Sequence, residues 1–173
     1  GPLKDRPAYD QIIQGMSGMM SVTGTEELNP LRAGFPVADT LGGISAAYAI
    51  SSALVSRAST GVGCEIDVSM LEAAITAMGW VVSNDLLAGS MPKPMGHENF
   101  TAAPSGTFQA QNGYLNISAN KQEQFEALSA LLNRADLMED SRFAAREQRK
   151  IHRQELKAEI ESVLETQSVE YWV

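Results

Sequence analysis

Cysteine and histidine are scarce in this sequence, and it has no long apolar run. The single cysteine, Cys64, excludes an internal disulfide and is typical of a protein from a reducing cytoplasm. His97 and His152 do not show the spacing of metal ligands, so we expect no metal. No apolar run approaches the roughly 20 residues that cross a bilayer, so we expect no membrane partner.

Basic residues are also few. The sequence has 13 Lys and Arg and 21 Asp and Glu, which gives a net charge of −8. Nucleic-acid binding requires a basic face, so the charge excludes nucleic acid as a partner. The 173 residues, 44% of them apolar, are enough for one or two small hydrophobic cores. The composition therefore predicts a soluble globular protein.

One carboxylate, Asp39, stands between an extended stretch and a long apolar helix in segment 34–43, Gly-Phe-Pro-Val-Ala-Asp-Thr-Leu-Gly-Gly. Pro36 disfavours helix at the residue before it and fixes its own φ. Apolar residues then recur at steps of three and four, which predicts a mostly buried helix over about 41–57. Asp39 or Thr40 is its expected N-cap.

Asp39 has two interpretations at this point. It is a cap that accepts hydrogen bonds from the free amides of the first turn. Alternatively it is a nucleophile, since the helix dipole favours an ionised carboxylate there and Gly42 and Gly43 let a ligand approach the backbone. A carboxylate suits acyl transfer, because its attack on a thioester gives an anhydride that is still activated. Periodicity does not choose between these two roles.

A second helix is predicted after a short strand-like run at 65–68. Ser69 and Glu72 form a capping box, and an apolar stripe continues to a helix end near Ala88-Gly89. Residues 90–104 contain three prolines and no steady period, which predicts a loop that joins two units. We expect Cys64 to be a small buried side chain.

The last third of the chain predicts a hairpin covered by helices. Asn112-Gly113 between two alternating runs is a strong hairpin signal. Apolar steps predict covering helices over about 121–132 and 152–165. The apolar face of the hairpin would consist of Phe108, Ala110, Leu115 and Ile117. A basic cluster is most simply a helix face balanced by nearby glutamates; it comprises Arg146, Arg149, Lys150 and Arg153.

Several segments match one family in the same order along the chain. They are 1–10 (Gly-Pro-Leu-Lys-Asp-Arg-Pro-Ala-Tyr-Asp), the Asp39 region, 57–73 (Arg-Ala-Ser-Thr-Gly-Val-Gly-Cys-Glu-Ile-Asp-Val-Ser-Met-Leu-Glu-Ala), and Asn99 with 103–108 (Ala-Pro-Ser-Gly-Thr-Phe). With these segments in register, the chain resembles the class III CoA-transferases of the CaiB/BaiF type, which include formyl-CoA transferase. The resemblance covers nearly the whole chain.

The resemblance implies an α+β fold in two parts. Residues 1–89 would be part of the large CoA-transferase domain with its connecting helix, and 90–173 a small α+β domain with a hairpin packed by helices. Family members are considerably longer and begin with a nucleotide-binding-like α/β half. We therefore expect a middle-to-C-terminal fragment, truncated within the small domain.

The resemblance also implies a function, namely transfer of CoA from an acyl-CoA donor to a carboxylic acid with Asp39 as nucleophile. It implies no permanently bound cofactor, CoA thioesters as substrates, a cytoplasmic location and an interlocked homodimer for the full-length protein. The expected CoA-binding residues are Lys4, Arg6, Ala8 and Tyr9. The expected substrate-binding residues are Gly96, His97 and Asn99.

Two other functions stay open. Within the family, α-methylacyl-CoA racemases use an aspartate and a histidine from a Gly-His-Asp run, and the matching place here reads Ala8-Tyr9-Asp10. A tyrosine titrates too high to replace histidine easily, which favours the transferase. The other alternative is an inactive structural fragment. No glycine run matches the family's glycine-rich substrate loop, so a small dicarboxylic acid or a medium acyl group is favoured over oxalate or formate.

Overall fold

The computed structural model describes residues 2–173, which form two units, one ending at Gly96 and a second at His97–Val173. The first unit contains α1 (Asp10–Met16), a 3-10 turn (Met19–Val22), α2 (Val37–Thr60), α3 (Met70–Ala77) and α4 (Trp80–Ala88). The second contains β1 (Ser105–Ala110), β2 (Gly113–Ser118), α5 (Gln122–Leu131), α6 (Asp136–Glu139), α7 (Arg146–Ile151), α8 (Arg153–Leu164) and α9 (Val169–Trp172).

Small residues let the helices of the first unit approach one another. Ile13 of α1, Ala38 of α2 and Ala74 of α3 are buried together. A Cβ at Gly42 would lie 3.0 Å from the Cγ atom of Met70, so glycine lets α2 and α3 approach closely without displacing the Met70 side chain. The first two turns of α2 are thereby fixed against its neighbours.

Most of the remaining residues of α2 are exposed, contrary to the expected burial. The helix runs for 24 residues, longer than the predicted 41–57, but Ala38 and Gly42 are its buried residues. Tyr48 is 77% exposed and Val55 is 73% exposed. An apolar stripe is buried only where another surface covers it, and α1 and α3 are the helices that pack on α2. Among residues 2–173, no helix is both long enough and apolar enough to cross a membrane.

The single helix expected from Ser69 to Ala88 is wrong, because it is broken in two. Gly79 adopts φ 45° and ψ −110°, which ends α3 and starts α4 in a new direction. Both predicted ends are confirmed. The Ser69 hydroxyl accepts a hydrogen bond from the Glu72 amide at 3.2 Å, and Gly89 adopts the left-handed conformation of a C-terminal cap.

The connection from α2 to α3 is irregular and exposed. The strand-like run 65–68 is not a strand, because no neighbouring strand among the described residues pairs with it. Cys64 lies in this connection and is exposed, so its expected burial is also wrong. The predicted loop 90–104 is confirmed, with a single isolated bridge between Glu98 and Gly106.

The predicted hairpin is present, with its turn one residue earlier than expected. Ala110 pairs with Gly113, so Gln111 and Asn112 form the turn and Gly113 begins β2. The Asn112 side chain is already engaged, since its Oδ1 accepts a hydrogen bond from the Val169 amide at 2.8 Å. That contact joins the hairpin turn to the start of α9.

Helices cover one face of the hairpin, which confirms the expected α+β fold. Phe108 and Ala110 are buried, and Leu115 and Ile117 pack against the same cluster. The cluster also contains residues from the predicted helices and the segments between them: Phe125, Leu132, Leu137, Phe143, Leu156, Ile160 and Leu164. The apolar spacing therefore identified the covering helices correctly.

The basic cluster is not a solvated helix face. Arg149 is fully buried, and its guanidinium lies 4.3 Å above the centre of the Phe125 ring. Arg153 donates a hydrogen bond to the Asn99 carbonyl at 2.8 Å. Helical spacing alone did not distinguish these two arginines from their exposed neighbours.

The backbone at Gly106 should not tolerate a side chain. Its φ is +154°, and a Cβ there would overlap the carbonyl oxygen of His97. We expect Gly106→Ala to lower the free energy of unfolding by about 1 to 3 kcal/mol, measured by urea denaturation. Gly63→Ala is the control, since a Cβ at Gly63 meets no atom within 4 Å. Equal stability of the two variants would contradict the prediction.

Candidate active site

The site is built around the N-terminus of α2. Pro36 precedes the first helical residue, and its carbonyl accepts hydrogen bonds from the Thr40 amide at 3.0 Å and the Thr40 hydroxyl at 2.9 Å. Asp39 is therefore the third residue of the helix. The expectation that Asp39 or Thr40 is the N-cap is wrong, because the helix begins earlier, at Val37.

A carboxylate from α1 performs the capping. Oδ1 of Asp10 accepts a hydrogen bond from the Ala38 amide at 2.9 Å. Its other oxygen, Oδ2, accepts one from Nε2 of Gln14 at 2.7 Å. A carboxylate is favourable at this helix end because it satisfies a free amide and complements the dipole.

Gln14 extends this network to the chain before α2. It is fully buried, and its Oε1 accepts a hydrogen bond from the Ala33 amide at 2.8 Å. Its Nε2 also lies 3.5 Å from the Phe35 carbonyl. Asp10 and Gln14 are one turn apart on α1, so together they hold the segment that leads into α2.

Asp39 itself is exposed. Among residues 2–173, no side chain or amide donates a hydrogen bond to its carboxylate. The capping carboxylate and the free carboxylate are thus different residues at the same helix end. An exposed carboxylate without a partner, beside helix amides, is available to attack an electrophile.

The two glycines after Asp39 have different surroundings, so the expected close approach of a ligand is blocked at Gly42 and stays a prediction at Gly43. Gly42 is buried against Met70, whereas Gly43 faces open space. Both lie beyond the first four residues of α2, where each amide bonds to a carbonyl one turn earlier. These glycine amides are therefore not free to bind an oxyanion.

The expected CoA-binding residues lie just before α1, in the same unit as Asp39. Lys4, Arg6 and Ala8 are exposed. Tyr9 is 68% exposed, so it is not a core residue, and it immediately precedes the capping Asp10. The chain thus connects Tyr9 directly to the residue that holds the start of α2.

The expected substrate-binding residues fall on either side of the unit boundary. Gly96 ends the first unit, with φ +58° and an amide that donates to the Gly24 carbonyl at 2.7 Å. His97 and Asn99 begin the second unit and are exposed. The His97 ring stacks near Tyr114, with 6.4 Å between ring centres.

Comparison with known proteins identifies the family. The model of CoA-transferase family III matches residues 1–173. The chain belongs to CoA-transferase family III. An acetyl-CoA:oxalate CoA-transferase from Acetobacter aceti is 34% identical over 174 residues, which cover 100% of this chain and 45% of that protein. A succinyl-CoA:glutarate CoA-transferase from Mus musculus is 33% identical over 156 residues, which cover 90% of this chain and 36% of that protein.

The family III fold is also found among solved structures. A CaiB/BaiF family protein from Brucella suis matches with a TM-score of 0.84 and 34% identity, covering 99% of this chain and 46% of that one. The chain thus spans less than half the length of these relatives. The expected resemblance to the family is confirmed over the whole chain.

Sequence reasoning named Asp10 within a motif but missed its part in the site. The available signal was its position at the start of an amphipathic helix, one turn before Gln14. Nothing in the sequence indicates that Asp10 reaches Ala38, 28 residues away. Only the packing of α1 on α2 brings the carboxylate to that amide.

Removing the Asp10 carboxylate should weaken the start of α2. We expect Asp10→Ala to lower the free energy of unfolding of the 173-residue chain by about 1 kcal/mol, since the Ala38 amide loses its cap. Urea denaturation followed by circular dichroism measures this change. Asp5→Ala, at an exposed position just before α1, should have little effect, and equal losses would refute the capping role.

Proposed function

We propose that the polypeptide containing this chain transfers CoA from an acyl-CoA donor to a carboxylic acid, with Asp39 as the covalent nucleophile. The proposal rests on the two carboxylates at the start of α2. Asp10 caps the helix, while the Asp39 carboxylate is exposed and accepts no hydrogen bond among residues 2–173. Membership of family III supports the reaction class.

The first half-reaction loads CoA onto Asp39. A carboxylate oxygen of Asp39 attacks the thioester carbon of the donor, and the carbon–sulfur bond breaks to release CoA thiolate. The thiolate then attacks Cγ of Asp39 and expels the donor as a free carboxylate. The product is an aspartyl-CoA thioester.

The second half-reaction reverses these steps with a new acid. The acceptor carboxylate attacks Cγ of Asp39 and displaces the thiolate, which forms a second mixed anhydride. The thiolate attacks the acceptor's acyl carbon, so the new acyl-CoA leaves and the Asp39 carboxylate is regenerated. Each tetrahedral intermediate carries an oxyanion, which a free backbone amide at the start of α2 stabilises. The amide of Asp39 has no acceptor among the described residues and is our candidate donor.

We propose binding roles for the residues on the two units. The CoA moiety contacts the exposed segment with Lys4, Arg6, Ala8 and Tyr9, whose two cations suit its phosphates. The acyl group contacts Gly96, His97 and Asn99. The acceptor is a small dicarboxylic acid, in keeping with the glutarate named for one relative. The oxalate named for another relative runs against the lower preference that we expect for oxalate.

We also propose the assembly and setting of the whole protein. Residues 1–89 belong to a large CoA-transferase domain and 90–173 to a small one, within a longer cytoplasmic polypeptide. That polypeptide forms an interlocked homodimer, which the exposed apolar side chains of α2 support. Light scattering of the complete protein should give twice the monomer mass, and a monomer would contradict this part of the proposal.

The covalent step is testable on the complete polypeptide with a panel of acyl-CoA donors and hydroxylamine. Hydroxylamine converts an activated carboxyl group to a hydroxamate, so we expect a mass shift at Asp39 that requires the acyl-CoA. We expect Asp39→Ala to lower kcat by at least about a thousandfold. Asp67→Ala removes another exposed carboxylate of the same unit and should retain activity.

The alternative reaction gives a different result in the same assay. An α-methylacyl-CoA racemase would exchange deuterium into the α-carbon of a branched acyl-CoA and leave no hydroxamate on Asp39. Tyr9 at the matching position argues against it, because a phenol is a poorer proton acceptor than the imidazole of the racemases' histidine. Deuterium exchange without any mass shift would overturn the transferase mechanism.

A further inference from the structure

The segment 97–104, which we call the acyl loop, has one exposed end and one buried end. His97 and Asn99 are exposed. Ala102, Ala103 and Pro104 are buried in the second unit. The loop is thus anchored at its C-terminal part, while its N-terminal part presents side chains outward.

Arg149 anchors the buried part. Its Nε donates a hydrogen bond to the Ala103 carbonyl at 3.2 Å, and its Nη1 donates to the Phe143 carbonyl at 2.8 Å. Nη2 donates to the side-chain oxygen of Gln122 at 3.1 Å. None of the carboxylates among residues 2–173 forms an ion pair with Arg149. This fully buried cation is instead stabilised by hydrogen bonds to uncharged oxygens and by the face of the Phe125 ring.

Such a buried charge is costly, and stability alone does not account for it. Burial lowers the pKa of Arg149 below the usual arginine value, because the charged form loses water. An apolar side chain of similar volume would avoid this penalty. Arginine offers something that an apolar residue lacks, namely donors in a rigid fork that fix several carbonyls at once.

Arg153 holds the exposed part of the loop. Its Nη1 donates to the Asn99 carbonyl at 2.8 Å, and its Nη2 lies 3.5 Å from the Phe100 carbonyl. Its Nε donates to the Lys150 carbonyl at 2.9 Å, which ties the guanidinium back to its own helical region. Arg149 lies on α7 and Arg153 begins α8, and the guanidinium groups of both bind carbonyls of the same loop.

The loop's own contacts leave suitable groups for a ligand. Oδ1 of Asn99 accepts hydrogen bonds from the Thr101 amide and hydroxyl, both at 2.8 Å. Its Nδ2 has no acceptor within the described part of the chain. Thr101 therefore holds the side-chain amide of Asn99 through its Oδ1 atom. The two N–H bonds of Nδ2 stay available to a carboxylate or carbonyl oxygen.

We propose that Arg149 and Arg153 are positioning residues of the acyl loop. By binding the carbonyls of Asn99, Phe100 and Ala103, they hold the backbone so that Asn99 and His97 keep the geometry that the acyl group requires. This inference rests on the proposed function of the loop. Neither arginine contacts the substrate in this proposal. Both act through the loop backbone, and Arg153 also acts through its ion pair with Glu98, in which its Nε lies 3.8 Å from Oε2.

The first arm of the test measures the loop directly, on the complete polypeptide. Hydrogen exchange with mass spectrometry should be at least about tenfold faster for the loop amides in Arg153→Met, since a charged hydrogen bond is lost. The amides of Asn99 and Thr101 report on this opening because both are hydrogen-bonded in the loop. Arg134→Met is the control, because Arg134 pairs with Asp136 and Glu159 and does not touch the loop.

The second arm separates positioning from a general loss of stability. In Arg153→Met we expect KM for the acceptor dicarboxylate, tested with glutarate and oxalate, to rise about tenfold while kcat changes little. A purely structural role would reduce the folded fraction, which lowers kcat and leaves KM unchanged. Arg153→Lys, which keeps the charge but lacks the fork, should fall between wild type and Arg153→Met.

The outcomes are distinguishable. Unchanged loop exchange in Arg153→Met overturns the proposal, as does faster exchange with an unchanged KM. Faster exchange together with a raised KM, absent in Arg134→Met, supports it. A wild-type polypeptide that transfers no CoA from any donor overturns the proposed function, and with it the positioning role, whatever the exchange rates.

Discussion

The hydrogen bond from the Ala38 amide to the Asp10 carboxylate is the contact on which the first unit depends. It joins α1 to the start of α2 and, through Gln14, fixes the chain between them. A helix end needs an acceptor for its free amides, and Asp10 supplies one. Because that need is met from α1, the Asp39 carboxylate one residue later stays exposed, as the proposed role of Asp39 as nucleophile requires.

The second unit uses polar contacts in a comparable way. Its core is apolar and formed by the hairpin and its covering helices, yet a fully buried arginine lies within it. The donors of Arg149 bind backbone carbonyls and a side-chain amide, so the charge serves to fix chain segments. In the first unit, Gln14 of α1 holds the segment that leads into α2. In the second unit, Arg149 of α7 holds the segment that leads into β1.

Periodicity and turn residues predicted much of this fold. The hairpin, α5 and α8 were expected close to their observed positions, because alternation and three-to-four-residue spacing are local signals. The same signals failed at Gly79, where one glycine divides an otherwise continuous stripe, and along α2, whose apolar residues are exposed. Apolar spacing indicates which face would be buried, but not whether a covering surface is present.

The sequence by itself determined the family, the hairpin and most of the helices, and it indicated Asp39 as the candidate nucleophile, because these follow from residue order and local spacing. Tertiary structure decided which carboxylate caps α2, which arginines leave the surface, and which glycine serves packing. Each of these depends on residues distant along the chain: Asp10 reaches Ala38, Arg149 reaches Ala103, and Gly42 meets Met70. Such contacts form only when helices pack, and no local pattern encodes them.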